Sequence, residues 1–123
     1  MQMKLRTCIA FIAGRLITGL DATSIYDHGQ SKSVRFEGPV SPAFIKVYDH
    51  DRECYTSGGG EACTYELFDF GYQHHIDLRT DGNAFEGYED YTPSLFRGEV
   101  NGSEISFYDD NESKTFLFSM STT

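Results

Sequence analysis

The chain has 123 residues, 39% of them hydrophobic and 15% aromatic, and it carries 19 acidic and 10 basic residues for a net charge of −9. This length suits a single domain, 1–123, and the aromatic and glycine content argues against disorder. Because affinity for phosphates comes from lysine and arginine, so acidic a chain is not expected to bind nucleic acid. Its charge suits either solubility or docking onto a basic protein.

One amphipathic helix is predicted within residues 1–21. Between Met3 and Leu20 the apolar side chains recur at the i, i+3, i+4, i+7 spacing of a helix face. They are Leu5, Cys8, Ile9, Ile12, Leu16 and Ile17. Gly19 is the predicted stop signal of this helix. The apolar run is too short to cross a bilayer, so no membrane span is predicted.

An aromatic residue followed by an acid recurs five times after the helix, with steps of 22, 20, 20 and 20 residues. The five pairs are Tyr26-Asp27, Tyr48-Asp49, Phe68-Asp69, Tyr88-Glu89 and Tyr108-Asp109. A fixed period of this length marks a supersecondary unit that buries its apolar face only when neighbouring units stack on it. Residues 22–123 are therefore predicted to be five hairpin repeats.

Each repeat is predicted to contain two strands, with its first, tenth, twelfth and nineteenth places on the core face. Asp81-Gly82 and Asn101-Gly102 indicate two-residue hairpin turns. About ten antiparallel strands result, and closing them into an up-and-down barrel removes the exposed edges. A β-solenoid with one repeat per coil and an open meander are the alternatives. Ten strands leave interior space, which the helix can fill or cap.

The acids of the five repeats are expected at one end of the sheet, where they would form an acidic rim. The rim consists of Asp27, Asp49, Asp69, Glu89 and Asp109. Such a rim could bind Ca²⁺ or grip a cationic partner. The simpler interpretation is that each acid opens a turn and bonds its own backbone two residues on.

The aromatic partners of these acids alternate away from the core face and form an outer aromatic row. The row consists of Tyr26, Tyr48, Phe68, Tyr88 and Tyr108. If exposed, the row would be an interaction surface, since tyrosine is enriched at interfaces. If covered by side chains of neighbouring strands, it is cross-strand packing.

Three cysteines leave at least one free thiol, which indicates a reducing, cytoplasmic location. Cys54 and Cys63 would face each other, within disulfide range, if their hairpin turned at Gly58-Gly59. Strict alignment with the other repeats instead places the turn at Glu61-Ala62 and separates them. Spacing fixes no complete ligand set around the four histidines, so no metal site and no cofactor are predicted.

No catalytic motif is recognisable, so the prediction is a small, acidic, non-enzymatic binding protein. A protein-interaction module, or an inhibitor or immunity-type antagonist, would use the acidic rim and aromatic row to hold a basic protein. The alternative is a carrier for a small apolar ligand inside the barrel, with the helix as lid or plug. A repeat protein that self-associates through open sheet edges is a third possibility.

Overall fold

The computed structural model describes residues 1–91 and 93–122. Helix α1 covers Met3–Thr18 and ends at Gly19, whose positive φ of 70° reverses the chain. The Gly19 N–H donates to the Arg15 carbonyl oxygen at 2.9 Å, which closes the last turn. The predicted single helix is thus present.

Eleven strands follow the helix in the described ranges. They are β1 (Ser24–Asp27), β2 (Lys32–Glu37), β3 (Val40–Ser41), β4 (Phe44–Asp49), β5 (Cys54–Glu61), β6 (Thr64–Asp69), β7 (His74–Asp81), β8 (Ala84–Glu89), β9 (Ser94–Asn101), β10 (Glu104–Asp109) and β11 (Lys114–Ser121). Neighbours along the chain pair antiparallel from β3 to β11. Strand β1 pairs with β2 and β11, and β2 pairs with β4.

These pairings close ten antiparallel strands into a barrel, and the short strand β3 pairs with β4 just beyond the end of β2. The predicted closed barrel is confirmed, and the solenoid and open-meander alternatives are wrong. Closure satisfies the backbone groups that an open sheet would leave at its edges.

The hairpin turns lie one residue later than predicted. Asp81 pairs with Ala84, so Gly82 is the first central turn residue, with a φ of 59°. A left-handed conformation at the first central position favours glycine, which explains why the turn shifts past Asp81. The equivalent turn of the second repeat has Ala62 and Cys63 at its centre, both with positive φ.

The predicted core places do face the barrel interior. Buried side chains there include Ile25, Val34, Phe36, Val47, Tyr65, Leu67, Ile76, Leu78, Phe85, Phe96, Ile105, Phe107 and Phe118. Two inward-facing glycines each pair with a phenylalanine, Gly87 with Phe96 and Gly98 with Phe85. A Cβ on Gly87 would lie 2.4 Å from the Phe96 ring, so the missing side chain makes room for that ring. Phenylalanine covering a cross-strand glycine is a known stabilising arrangement in sheets.

Helix α1 occupies the interior of the barrel. Every residue from Leu5 to Gly14 is buried, so the helix is enclosed on all sides over this length. The prediction of an amphipathic helix with one solvent-facing side is therefore wrong for these residues. The Phe11 ring stacks on Phe36 with centroids 4.6 Å apart. A Cβ on Gly14 would come within 2.6 Å of the Met120 sulfur, which shows how closely helix and wall approach. In the described part of the chain, no helix is long and apolar enough to cross a membrane.

Candidate functional site

The five acids of the predicted rim lie inside the barrel end and not on its surface. Their exposed fractions are 3% or less. We call this set, Asp27, Asp49, Asp69, Glu89 and Asp109, the carboxylate ring. Alternation explains the burial, because each acid follows an outward-facing aromatic residue and therefore points inward. The expectation of carboxylates exposed to a partner is corrected: the structure brings these acids together at one end, but withdraws them from solvent.

The interpretation of the acids as turn residues is confirmed for several repeats. Asp27 accepts from the Gly29 N–H at 2.9 Å, and Asp49 accepts from the Asp51 N–H at the same distance. Asp109 likewise accepts from the N–H two residues on, at 3.1 Å, whereas Asp69 accepts from the N–H three residues on, at 3.0 Å. These bonds satisfy turn N–H groups that are outside the strand ladder.

Arg52 joins two acids of the carboxylate ring. Its Nε donates to Asp49 at 2.7 Å, and its two terminal nitrogens donate to Asp69 at 2.8 and 2.9 Å. Thr56 donates to the same Asp69 carboxylate at 2.6 Å, and the Cys8 thiol donates to the Thr56 hydroxyl at 3.4 Å. A continuous polar network therefore runs from the helix to the barrel wall.

The ionisation of Asp69 follows from this network. Burial is the largest influence and opposes ionisation, but hydrogen bonds from Arg52, Thr56 and the Tyr72 N–H outweigh it and hold the pKa of Asp69 below its ordinary value. Burial also opposes the charge of Arg52, and the bonds to Asp69 and Asp49 raise the pKa of Arg52 despite it. Both groups are therefore charged at neutral pH, as a buried ion pair.

The start of α1 lies within the carboxylate ring. Arg6 Nη1 donates to Asp109 Oδ2 at 2.9 Å, and the Arg6 guanidinium lies 3.5 Å from the centroid of the Phe116 ring. The Thr7 hydroxyl donates to Asp27 Oδ2 at 3.3 Å. Carboxylates near a helix N-terminus are stabilised by the helix dipole. The carboxylate ring therefore anchors the start of the enclosed helix, which is a structural role.

The fourth repeat departs from the pattern of the others. It has Glu89 where the others have aspartate, and Pro93 where they have a residue of positive φ. Those residues are Ser31, Glu53, Gln73 and Ser113. Proline cannot adopt a positive φ, so Pro93 cannot repeat the conformation found at that place in the other repeats. Here the buried His74 contacts Glu89 and its ring stacks on Tyr91, with centroids 4.2 Å apart.

The aromatic row does lie on the outer face, as predicted. Tyr26 and Tyr88 are each 37% exposed, and the other three members are partly buried. Tyr48 packs edge-on against Tyr55 of the next strand at 5.0 Å, so cross-strand packing accounts for part of the row. The remaining exposure is still available to a partner.

Additional exposed rings extend the row on β4 to β7 and in the turns after β4 and β6. We use the name outer aromatic patch for the following set of rings: Tyr48, His50, Tyr55, Phe68, Phe70 and His75. Phe70 is 54% exposed and contacts Phe68 with centroids 4.8 Å apart. The Phe70 N–H donates to the Tyr55 carbonyl oxygen at 3.0 Å, which joins the two halves of the patch.

A concave surface lies beside this patch, outside β6 to β10. It contains two adjoining depressions of about 570 and 590 Å³, which share Thr64, Arg79, Glu86, Arg97 and Tyr108. We call this surface the acidic groove. Arg79 and Glu86 form an ion pair at 3.0 Å, and the Arg97 guanidinium lies 4.6 Å from the Tyr108 ring centroid. The two depressions thus share a row of side chains from five consecutive strands.

The outer face of residues 61–112 is strongly acidic. Its exposed acids are Glu61, Glu66, Asp77, Asp81, Glu86, Asp90, Glu99, Glu104, Asp110 and Glu112. Arg79 and Arg97 are the exposed basic residues in the described part of that segment. Before residue 61 the exposed acids are Asp21, Glu37 and Glu53, beside exposed Arg35 and Lys46. The charge of the chain is therefore concentrated on one side of the barrel.

The three cysteines are free thiols. Cys54 pairs with Asp49 across β4 and β5, while Cys63 lies at a turn centre, so the two thiols are separated and the alternative turn at Gly58-Gly59 is wrong. Burial raises the pKa of the Cys8 thiol to about 12 and also raises that of Cys54. Among the described residues, no group of three or more His, Cys, Asp or Glu could hold a metal ion.

The acidic groove was missed at the sequence level because its residues come from several repeats. Its signal was available, however: Glu66, Asp77, Leu95 and Arg97 occupy places that alternate away from the core face. No protein-family model, curated protein or solved structure matches this chain.

Proposed function

We propose that this chain is a non-enzymatic interaction module that binds a basic protein through the outer surface of β6 to β10. An inhibitor or immunity-type antagonist would act in this way, by covering a basic surface of its target. The observation that carries the proposal is the acidic groove, which is lined by six exposed acids and by Arg79 and Arg97. The surrounding outer face of residues 61–112 carries four further exposed acids. Complementary potentials steer such partners together and select against acidic competitors.

Exposed apolar side chains support a protein as the partner. Leu95 of β9 is 58% exposed on this surface, and Leu117 of the adjoining strand β11 is 55% exposed. Tyr88 lies beside Leu95 across β8 and β9. Aromatic anchors surrounded by charged side chains are typical of protein interfaces.

The filled interior also favours an external binding surface. The carrier hypothesis requires an interior left open by the helix and the phenylalanines. Helix α1 occupies that space, and Phe36, Phe96 and Phe118 are buried around it while Phe116 is partly buried. The filled interior therefore supports the interaction module over the carrier.

Chemical crosslinking tests the proposal. The protein would be expressed with an affinity tag in its own host and treated with a carbodiimide, which joins a carboxylate directly to a contacting lysine. A stoichiometric basic protein, crosslinked through acids within residues 61–112, is the expected result, and complex formation should weaken as salt rises. Crosslinks confined to Asp21, Glu37 or Glu53, on the less acidic side, would contradict the proposal.

A further inference from the structure

One depression of the acidic groove combines carboxylates with exposed apolar surface. Its volume is about 590 Å³, and its lining includes Glu66, Asp77, Tyr88, Leu95 and Asp110. The first four are direct cross-strand neighbours in a single row over β6, β7, β8 and β9. Their side chains therefore lie side by side on the outer face.

Like charges face each other in this row. Glu66 pairs directly with Asp77 across β6 and β7, an arrangement that destabilises a sheet. Neither of them, nor Asp110, has an ion-pair partner within 4.0 Å among the described residues. A local arrangement that opposes folding without compensation is typical of a functional site.

The basic residues of the groove are already engaged. Arg79 pairs with Glu86 at 3.0 Å, and Arg97 lies over the Tyr108 ring at 4.6 Å. They therefore leave the negative charge of Glu66 and Asp77 uncompensated. A cationic group of a binding partner could compensate that charge.

The apolar neighbours define what kind of cation fits. Tyr88 is 37% exposed and Leu95 is 58% exposed. Lysine and arginine lay their apolar stems along such surfaces and direct the charged group to carboxylates. The Tyr88 ring can also attract a cation placed over its face. A bare metal ion would make no use of this apolar surface.

We propose that this depression is a subsite for a lysine or arginine side chain of the partner, with an adjacent apolar residue packed on Leu95. The inference rests on the proposed function and specifies the chemistry of the partner segment. The cationic head lies between Glu66 and Asp77, and the stem of the same side chain crosses Tyr88.

A peptide titration tests the subsite. The probe is acetyl-Lys-Leu-Lys-amide, added at low salt to the ¹⁵N-labelled full chain, with amide shifts followed by NMR. We expect the shifts to concentrate at Glu66, Asp77, Tyr88 and Leu95. The same peptide with norleucine in place of both lysines should bind at least about tenfold more weakly, since it lacks the positive charges.

Variants of the protein decide whether these residues bind the probe. Glu66→Gln/Asp77→Asn should reduce affinity for the probe by about tenfold and Leu95→Ser by several-fold. The matched control Glu37→Gln/Glu53→Gln should bind like wild type. The first variant should also unfold at a slightly higher urea concentration, because it removes like-charge repulsion.

Shifts located elsewhere, equal binding of the norleucine peptide, or unchanged affinity of the Glu66→Gln/Asp77→Asn variant would each overturn the subsite. If a basic partner still crosslinked to other acids of residues 61–112, the proposed function would stand and the subsite alone would be rejected. Crosslinks to Glu66 or Asp77 themselves would support both.

Discussion

Arg52 grips Asp69 of the following repeat through both of its terminal nitrogens, with Nη1–Oδ2 at 2.8 Å and Nη2–Oδ1 at 2.9 Å. The side chains of both residues are almost fully buried. This two-point pairing joins the second and third repeats from inside the barrel. It fixes orientation as well as charge, because the planar guanidinium matches the carboxylate.

Arg52→Met is expected to destabilise the protein by about 3–5 kcal/mol, because it leaves Asp69 and Asp49 buried without their cation. Urea denaturation followed by circular dichroism measures the effect. The control is Arg35→Met, whose side chain is 65% exposed and pairs with exposed Glu37, and which should cost less than about 1 kcal/mol. Equal midpoints for the two variants would show that the buried pair contributes no special stability.

The contribution of Asp69 to the free energy of unfolding should be lost at acid pH. Its pKa is lower in the folded protein than the ordinary value of about 3.9, so the contribution is complete above that pH and is lost as pH falls through the lowered folded pKa. The difference in unfolding free energy between wild type and Asp69→Asn should therefore shrink below about pH 4. A difference that stays constant down to about pH 2 would contradict the lowered pKa.

The three thiols should react with Ellman's reagent at different rates. Cys63 is exposed and should react first, whereas Cys54 is partly buried and has a raised pKa. Cys8 is buried, with its pKa raised to about 12, and should react only after unfolding, because the thiolate is the nucleophile. Cys63→Ser should remove the fast phase alone. A Cys8 that reacts in the native protein would contradict its enclosure by the barrel.

Phe96→Ala should destabilise the protein by about 3–5 kcal/mol, since a buried ring is replaced by a cavity. The ring is 3% exposed, stacks on Phe107 with centroids 5.0 Å apart and covers Gly87. Leu117→Ala, at a side chain that is 55% exposed, is the matched surface control and should change stability by less than about 1 kcal/mol. An unchanged denaturation midpoint for the Phe96 variant would place that ring outside the core.

Much of the architecture could be predicted from periodicity. The aromatic-acid pairs mark hairpin repeats, and period-two alternation identifies inward residues such as Val47 and Ile76. The exact turn centre could not be predicted, because Asp81-Gly82 and Gly82-Asn83 both contain a residue suited to positive φ. The burial of the helix on all sides depends on barrel closure, which no local pattern specifies.

The carboxylate ring shows where local interpretation failed. The sequence predicts aspartates that open turns, and they do, but the same alternation that turns Tyr48 outward turns Asp49 inward. Their compensation by Arg6 and Arg52 depends on three-dimensional placement that sequence spacing does not reveal. For the acidic groove, alternation indicates which residues face outward, but the register alone decides which of them become cross-strand neighbours, such as Asp77 and Tyr88.

The pairing of β1 with β11 has a consequence for the order of synthesis. A ribosome makes helix α1 before the strands, and the strand that completes its enclosure, at residues 114–121, is made about a hundred residues later. Until then the apolar helix has no closed wall around it, and pairing of distant segments is slow. Nascent chains that stall before β11 should therefore leave α1 incompletely enclosed and accessible to chaperones.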